Sequence, residues 1–401
     1  MDNKQTIAVV GMAGMFPGAS DLNAFWHNII HKFDATGDVP ARRWIAGPER
    51  MVSGHPEPDK AFTRRCCLIG DFVFDPTGFE IPPDILAALD PLYHLLLHTA
   101  REALQPAGPR LDKDRTGVAL AAIALPTDSS SAITRELFGS LFENKLYGHS
   151  GRKPATQNQS LAARVTSLPA AIVAEGLGFG GGTFTLDAAC ASSIYAVKLA
   201  CDELQSRRAD AMLAGGISRP ECLYTQVGFS QLQALSPTGR CAPFDRSADG
   251  LVVGEGAGLL VLKRLTDALK ANDTVYGLIR GVGLSNDMRG NLLAPDSEGQ
   301  VRAMRIAYDQ AGWSPQDVDL IECHGAGTPV GDATELHSLT KLWGKSGWDN
   351  GQCAIGSVKS MIGHLLTGAG AAGMIKTLLA LSNKVLPPSL HFVKPPANSP
   401  L

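Results

Sequence analysis

Short apolar runs of strand type alternate with amphipathic helical runs along almost the whole chain. This alternation is typical of α/β proteins, in which helices connect neighbouring strands. The predicted strands are 7–10, 117–123, 184–186, 211–215, 259–263, 276–281, 320–323 and 354–357. The predicted long helices are 84–104, 191–206, 298–311, 333–343 and 369–381. The polar stretch 127–160 is predicted to be a long inserted segment that serves function or forms an interface.

One arrangement occurs twice along the chain. Strand 184–186 leads through a turn into a helix of small residues, and strand 354–357 leads into another Gly- and Ala-rich helix. This internal repeat predicts two similar stacked lobes, at 1–265 and 266–401. The alternative is that the repeat arises by chance in a chain rich in glycine and alanine. Two further strands follow the helix of the first lobe, whereas the second lobe ends in a Pro-rich tail. The second lobe is therefore expected to lack its last strands.

Composition narrows the class of protein. Glycine contributes 43 of 401 residues and charged residues 19 %, which favours a closely packed enzyme over a disordered chain. The net charge is −3 and Lys and Arg are not clustered, so a nucleic-acid partner is not expected. No apolar stretch approaches the ~20 residues of a membrane-spanning helix, and the N-terminus does not resemble a signal peptide. The sequence predicts a cytoplasmic protein that does not associate with membranes.

The eight cysteines are scattered without CxxC spacing, so neither a metal site nor a disulfide framework is predicted. Cys190 differs from the others because it lies in a strand-to-helix turn between small residues. The positive end of the following helix would favour the thiolate, and the small neighbours would admit a substrate. Cys190 is thus a candidate nucleophile, and the alternative is a buried small residue in a tight turn.

Two histidines lie in Gly-rich turns after predicted strands, where α/β sheets commonly place active groups. His324 begins His-Gly-Ala-Gly-Thr-Pro, and His364 precedes Leu-Leu-Thr-Gly-Ala-Gly at the place in the second lobe that Cys190 takes in the first. The other histidines are interpreted as ordinary core or surface groups. Lys359 precedes His364 on the same turn. It would either set the electrostatics of the histidine pair or point to solvent.

Together these motifs resemble those of β-ketoacyl synthases, in the style of the condensing domains of modular polyketide and polyunsaturated fatty acid synthases. The resemblance covers nearly the whole chain and includes the Cys190, His324 and His364 motifs. Its other motifs are Val-Val-Gly-Met-Ala-Gly-Met-Phe-Pro-Gly-Ala at 9–19, Phe25-Trp26, Asp90-Pro91, the loop from Ala234 to Asp245, and Gly-Glu-Gly-Ala-Gly at 254–258.

The resemblance implies a thiolase-like fold, with two similar lobes in αβαβα layers, and a decarboxylative condensation. Cys190 would take an acyl group from a carrier-protein thioester, and its backbone N–H would form one arm of an oxyanion hole. His324 and His364 would assist decarboxylation of a malonyl thioester on a second carrier. Thr328 would contact the phosphopantetheine arm, which arrives on the carrier, so no cofactor or metal is expected.

Two departures from the family pattern stand out. Ala326 occupies the position of a usual threonine, so one hydroxyl contact to pantetheine is expected to be absent. The family's C-terminal Gly-Phe-Gly-Gly loop and last strands do not occur before Leu401. The resemblance therefore implies a truncated domain whose unassisted activity is in doubt.

Alternatives to a condensing enzyme are a non-catalytic subunit like a chain-length factor or scaffold, and a thiolase. Cys190 argues against the first, since such subunits usually lack the nucleophile, whereas the missing C-terminal loop argues for it. His364 argues against the second, because thiolases place a second reactive cysteine near the C-terminus. The resemblance also implies a homodimer or pseudo-dimer, with strand 184–186 near the two-fold axis.

The pairs Arg42-Arg43 and Arg64-Arg65 would either dock an acidic carrier protein or form solvated surface.

Overall fold

A mixed six-stranded sheet forms the centre of the molecule. The computed structural model describes residues 6–44, 46–107, 111–148, 165–166, 168–290, 294–344 and 351–401. The strands are β1 (Ile7–Met15), β2 (Gly37–Asp38), β3 (Arg65–Cys66), β4 (Thr116–Ala122), β5 (Thr183–Leu186), β6 (Ala211–Ser218), β7 (Gly256–Arg264), β8 (Gly277–Ile279), β9 (Leu320–Glu322) and β10 (Ala354–Gly356).

Six of these strands form the first sheet, in the order β5-β4-β6-β7-β1-β8. β4 pairs in parallel with β5 and β6, whereas β7 pairs antiparallel with β6 and with β1. β9 and β10 form a second, parallel sheet, and β2 pairs antiparallel with β3. The eight predicted strands are thus all present.

The described residues contain thirteen α-helices, several of which pack on the sheets. They are α1 (Leu22–Ile30), α2 (Pro48–Met51), α3 (Pro83–Ala88), α4 (Pro91–Leu104), α5 (Asp128–Tyr147), α6 (Pro169–Leu177), α7 (Ser192–Gln205), α8 (Cys222–Gln231), α9 (Leu265–Lys270), α10 (Ser297–Ala311), α11 (Pro329–Trp343), α12 (Lys359–Ile362) and α13 (Ala369–Asn383). None of them is long and apolar enough to cross a membrane.

The first sheet is buried on both faces. Its side chains point alternately to one face and the other, and each face packs in its own core. Val118 and Leu120 of β4 pack in the core that includes α4 and α6. Ala119 and Ala121 face the opposite core, which includes α7 and α13. β7 follows the same alternation, and this explains why these strands are continuous apolar runs in the sequence.

The second sheet lies beyond α13. Ile321 of β9 and Ile355 of β10 pack with Leu336 and Leu339 of α11 and with Met304 of α10. α13 contacts both the first sheet and β9. The order of layers is therefore α4/α6, first sheet, α7/α13, second sheet and α10/α11, which is the predicted αβαβα architecture of two stacked lobes.

The structure corrects the helix predicted over 84–104. It is two helices, because Asp90 and Pro91 interrupt it: Pro91 takes the first position of α4, and the Asp90 carboxylate accepts the backbone N–H of Leu92 at 2.8 Å. Proline lacks the N–H that a continuous helix would need there.

The polar stretch at 127–160 begins with a helix, α5, which starts at a capping box formed by Thr127 and Ser130. The residues at 149–160 lie outside the described part of the chain. Thr127 also donates its hydroxyl to Asp90 at 2.7 Å, so one buried carboxylate joins the N-termini of α4 and α5.

We expect Asp90→Ala to lower the free energy of unfolding by about 1–3 kcal/mol, because two buried donors lose their acceptor. Chemical denaturation would measure this loss. Asp84→Ala is the control, since Asp84 is an exposed acid in the first turn of α3. Equal, small losses in both variants would contradict the role given to Asp90.

Candidate active site

Cys190 lies in a tight turn between β5 and α7. Ala189 adopts a left-handed conformation with φ of 51°. Asp187 accepts the backbone N–H of Ala189 at 2.9 Å, and the Ser192 hydroxyl accepts that of Ala188 at 2.7 Å while donating to the Ala189 carbonyl at 2.6 Å. These bonds hold the turn in a conformation that costs energy for a residue other than glycine. The turn leaves Cys190 partly exposed.

Burial has the largest effect on the acidity of Cys190. Burial raises the pKa of the Cys190 thiol, whereas the positive charge of Lys359 and a backbone N–H oppose this rise. The favourable effect of the helix N-terminus on the thiolate stays a prediction, and desolvation of the thiolate opposes it. The charge of Lys359 acts in the same direction as the predicted effect of the helix.

His324 follows β9 in a loop whose backbone is held from α11. The Glu335 carboxylate accepts the N–H of His324 at 2.6 Å and that of Gly325 at 2.8 Å. Gly325 has φ of 36°, and a Cβ there would lie 2.8 Å from Ser357 Cβ, so glycine is required. The loop exposes His324 on a cavity. The packed atoms around it nevertheless desolvate the imidazolium and lower the pKa of His324, and the positive charge of Lys359 lowers it further.

Lys359 begins α12 and points inward, not to solvent. It is 5 % exposed, and its Nζ donates to the His324 carbonyl oxygen at 2.6 Å. This bond joins the two loops that carry the histidines. It also places a positive charge inside the protein, where water screens the interaction of that charge with nearby groups only weakly.

His364 has one defined protonation state in this geometry. It is buried, and its Nδ1 accepts the backbone N–H of Leu366 at 2.9 Å. An acceptor Nδ1 carries no proton, so the proton of the neutral ring is on Nε2, which is then a hydrogen-bond donor. Burial lowers the pKa of His364 well below its usual value, and the charge of Lys359 lowers it further.

The structure brings the turns of Cys190, His324 and His364 together. The rings of His324 and His364 lie 5.4 Å apart, centre to centre, in an edge-to-face arrangement. The turn at 366–368, after His364, contacts the Cys190 turn, and Ser193 donates a hydrogen bond to the Thr367 carbonyl. Thr367 in turn donates to the Ile217 carbonyl at 2.6 Å, which anchors this turn on β6.

A cavity of about 690 Å³ opens beside these residues, and Cys190, His324 and Lys359 line it. Most of its other walls are apolar and come from α7, α13, β8 and β9. His364 is buried and does not line the cavity, but its ring contacts that of His324. A nucleophile, a cation and an imidazole around one apolar space, with a second imidazole in contact with the first, form a site suited to acyl chemistry.

Thr328 and Ala326 lie farther along the His324 loop. Thr328 is the partly exposed residue before α11, and its carbonyl accepts the N–H of Asp332 at 2.9 Å. It does not line the cavity. Ala326 is buried in an apolar cluster with Leu235, Leu251 and Val253. Among the described residues there is no group of three or more potential metal ligands.

Comparison with known proteins decides the family. The N-terminal domain model of the β-ketoacyl synthases matches residues 4–268, and the C-terminal domain model matches residues 276–393. The chain belongs to the β-ketoacyl synthase family. The described fold and the resemblance of the sequence motifs agree with this assignment.

The curated relatives of this β-ketoacyl synthase chain are longer proteins, and the chain matches one segment of each. One of the phenolphthiocerol/phthiocerol polyketide synthase proteins of Mycobacterium tuberculosis (strain CDC 1551 / Oshkosh) is 37 % identical over 399 residues. The match covers 97 % of this chain and 24 % of that protein. The PKS-NRPS hybrid synthetase acdB of Aspergillus candidus is 35 % identical, with 97 % and 15 % covered. The chain thus spans about a quarter or less of these curated relatives.

Solved ketosynthases share the fold. The PfaC keto synthase-chain length factor has a TM-score of 0.92 and 37 % identity, and the match covers 99 % of this chain and 44 % of that one. The ketosynthase from module 6 of the bacillaene synthase from Bacillus subtilis 168 has a TM-score of 0.81 and 32 % identity, with 97 % and 63 % covered.

Sequence reasoning missed the acids that hold the site of this β-ketoacyl synthase. Glu335 supports the His324 loop, and Asp332 accepts the N–H groups of Phe244 at 2.8 Å and Gly327 at 3.2 Å. Burial raises the pKa of Asp332 to about 6. The signal was present in the sequence, since both acids follow the glycine-rich loop on one helix, but their contacts depend on how that helix packs.

We expect His364→Gln to reduce the loss of stability in acid. Folding keeps the pKa of His364 below its unfolded value of about 6.5, so the unfolded chain binds more protons below that pH. This histidine therefore leaves stability intact above pH 6.5 and lowers it as the pH falls further. Urea unfolding at pH 7 and pH 5 should show a decrease smaller by about 1–2 kcal/mol in the variant.

His55→Gln is the control for this measurement, because the His55 side chain is exposed and does not line the cavity. It should retain the acid dependence of the unsubstituted protein. If His364→Gln shows the same dependence as His55→Gln, His364 is not held neutral by the fold.

Proposed function

We propose that this chain catalyses the decarboxylative condensation of an acyl thioester held on Cys190 with a malonyl thioester on a carrier protein. The observation that carries the proposal is the neutral histidine pair beside Cys190, with the proton of His364 on Nε2. A neutral imidazole keeps one N–H, so each ring can donate a hydrogen bond to a developing enolate oxygen. Membership of the β-ketoacyl synthase family supports the same reaction.

In the first step, Cys190 sulfur attacks the carbonyl carbon of the acyl-carrier thioester. The carbon–sulfur bond to the carrier breaks, the acyl group stays on Cys190, and the thiol proton passes to the departing carrier sulfur. Because burial raises the pKa of Cys190 and the charge of Lys359 opposes the rise, Lys359 assists formation of the thiolate.

In the second step, the malonyl thioester loses CO₂, and the electron pair of the broken bond forms an enolate. Hydrogen bonds from His324 and His364 stabilise its oxygen, and Lys359 adds a positive charge nearby. The enolate carbon then bonds to the acyl carbon and displaces Cys190, which takes up one proton. The product is a 3-oxoacyl thioester on the carrier.

The partner implied by this reaction is an acyl carrier protein, whose phosphopantetheine arm carries the acyl and malonyl groups into the cavity. Thr328, at the outer end of the His324 loop, is our candidate contact for that arm. The reaction itself requires no metal and no redox cofactor, because the bonding electrons come from the departing carboxylate. We further propose that the chain acts in the cytoplasm.

We also propose that two chains associate through β5 and α5. β5 ends the first sheet, so one edge of its backbone has no neighbouring strand in the described structure. On α5, Phe138, Leu141 and Phe142 are each about two-thirds exposed. The hydrogen bond from Thr127 to Asp90 fixes the N-terminus of this helix, and with it the position of the apolar surface. Exposed surfaces of this kind mark sites of association.

Intact-mass spectrometry after incubation with an acyl-carrier thioester tests the reaction. We expect one acyl adduct on the unsubstituted chain and none on Cys190→Ala. Cys353→Ala is the matched control, because Cys353 and Cys190 are the partly exposed cysteines and the other six are buried. An adduct that persists in Cys190→Ala would refute the assignment of the nucleophile.

Release of CO₂ from a malonyl-carrier thioester separates this chemistry from that of a thiolase. Decarboxylation by the chain supports the proposed reaction, whereas condensation of two acetyl thioesters without CO₂ would show a thiolase. A folded chain that takes up no acyl group and releases no CO₂ would instead be a non-catalytic partner subunit.

We expect Phe142→Asp to convert a dimer into a monomer at micromolar concentration, because a carboxylate would be buried in the interface. Light scattering coupled to gel filtration measures the change. Leu269→Asp is the control, since Leu269 is a comparably exposed residue on α9. A monomeric unsubstituted chain would contradict the proposed association.

A further inference from the structure

A buried ion pair lies at the wall of the cavity, to which its acidic member, Glu322, contributes. Lys376, in the middle of α13, is 1 % exposed, and its Nζ donates to Glu322 Oε2 at 2.7 Å. Glu322 ends β9, two residues before His324, and its side chain is itself mostly buried. A buried ammonium without a partner would be strongly unfavourable, so this pair has to be maintained together.

The second oxygen of Glu322 has a different partner. Oε1 accepts the backbone N–H of Val358 at 2.6 Å, and Val358 is the residue before Lys359 at the start of α12. One carboxylate therefore joins α13, β9 and the turn that carries Lys359. A carboxylate can accept from both donors at once, whereas a side-chain amide offers a single acceptor oxygen.

One glycine makes room for this arrangement, and a second lies close by. A Cβ on Gly373 of α13 would lie 3.0 Å from Glu322 Cγ, and a Cβ on Gly356 of β10 would lie 2.6 Å from Ser389 Oγ and 3.7 Å from Lys376 Nζ. Neither glycine has a positive φ. The lack of a side chain at Gly373 therefore serves the close approach of α13 to Glu322, whereas Gly356 leaves room for Ser389.

We infer that Glu322 is a positioning residue, which holds the Val358 turn so that Lys359 reaches the His324 carbonyl beside Cys190. The inference extends the proposed function, on which the roles of Lys359 and Cys190 rest. Glu322 is linked to both partners of the bond between Lys359 and His324. It lies two residues before His324 in the chain, and its carboxylate accepts the backbone N–H of Val358, the residue before Lys359. Lys376 balances the charge of the carboxylate.

Two double variants separate positioning from charge. Glu322→Gln with Lys376→Met removes both charges but keeps an oxygen that can accept the Val358 N–H. Glu322→Leu with Lys376→Met also removes both charges but removes that oxygen. The two variants are equal in charge and differ in the acceptor for the turn.

The readout is the pH dependence of alkylation of Cys190 by iodoacetamide, followed by mass spectrometry of its peptide. The charge of Lys359 opposes the rise in the Cys190 pKa, so withdrawal of Lys359 should raise that pKa. We expect the Gln variant to keep the profile of the unsubstituted chain. The Leu variant should react at least about threefold more slowly at pH 7.5, which corresponds to a pKa about half a unit higher.

Cys353 provides an internal reference, because it is partly exposed and its profile should be the same in all variants. Thermal unfolding is measured in parallel. A lower melting temperature with unchanged Cys190 profiles in both variants would show a merely structural ion pair and overturn the inference. A shift of the same size in the Gln and Leu variants would overturn it too, since the loss of charge would then be the cause.

Gly373→Ala is a second variant in case the Leu variant does not fold. The added methyl group would press on Glu322 Cγ without changing any charge, and we expect a smaller shift of the Cys190 profile in the same direction. An unchanged profile would count against the inference. Failure of the unsubstituted chain to take up an acyl group would overturn the proposed function, whereas the alkylation comparison reports on Glu322 in either case.

Discussion

The site depends on one buried cation, the ammonium group of Lys359. Its hydrogen bond to the His324 carbonyl joins the two loops that carry the histidines. Its charge lowers the pKa of His324 and His364 and opposes the rise in the pKa of Cys190 caused by burial. Burial is the larger cause for both imidazoles. Because a charge inside a protein acts with little screening, Lys359 adds to that effect and partly offsets the effect of burial on the thiol.

Holding that cation inside an apolar protein requires acids and carbonyls in fixed positions. Glu335 fixes the loop that carries the accepting carbonyl, and Glu322 accepts the N–H of the residue before Lys359. α13 connects these polar groups to the rest of the fold. Its small residues allow it to pack on the first sheet on one side and to bring Lys376 to Glu322 on the other. The αβαβα layers thus position the site through the helix that both sheets share.

Much of the fold follows from local patterns. The strands were predictable because both faces of the first sheet are buried, which produces apolar runs such as 117–123. The break at Asp90 and Pro91 was missed because the helical pattern continues through it. Helix α5 was missed because the stretch was interpreted as polar. The apolar side chains that it does contain are exposed and do not pack in a core. The division at 265/266 remains a prediction, and β8, from beyond that point, pairs with β1 of the first sheet.

The sequence by itself determined the alternation of strands and helices, and it marked Cys190, His324 and His364, because small residues around a reactive side chain form a pattern within a few positions. Only the tertiary structure decided that Lys359 points inward, that burial raises the pKa of Cys190, and that Glu322 and Lys376 meet. These properties depend on desolvation and on contacts between segments far apart in the chain. Such contacts exist only once the layers have packed, and no local pattern encodes them.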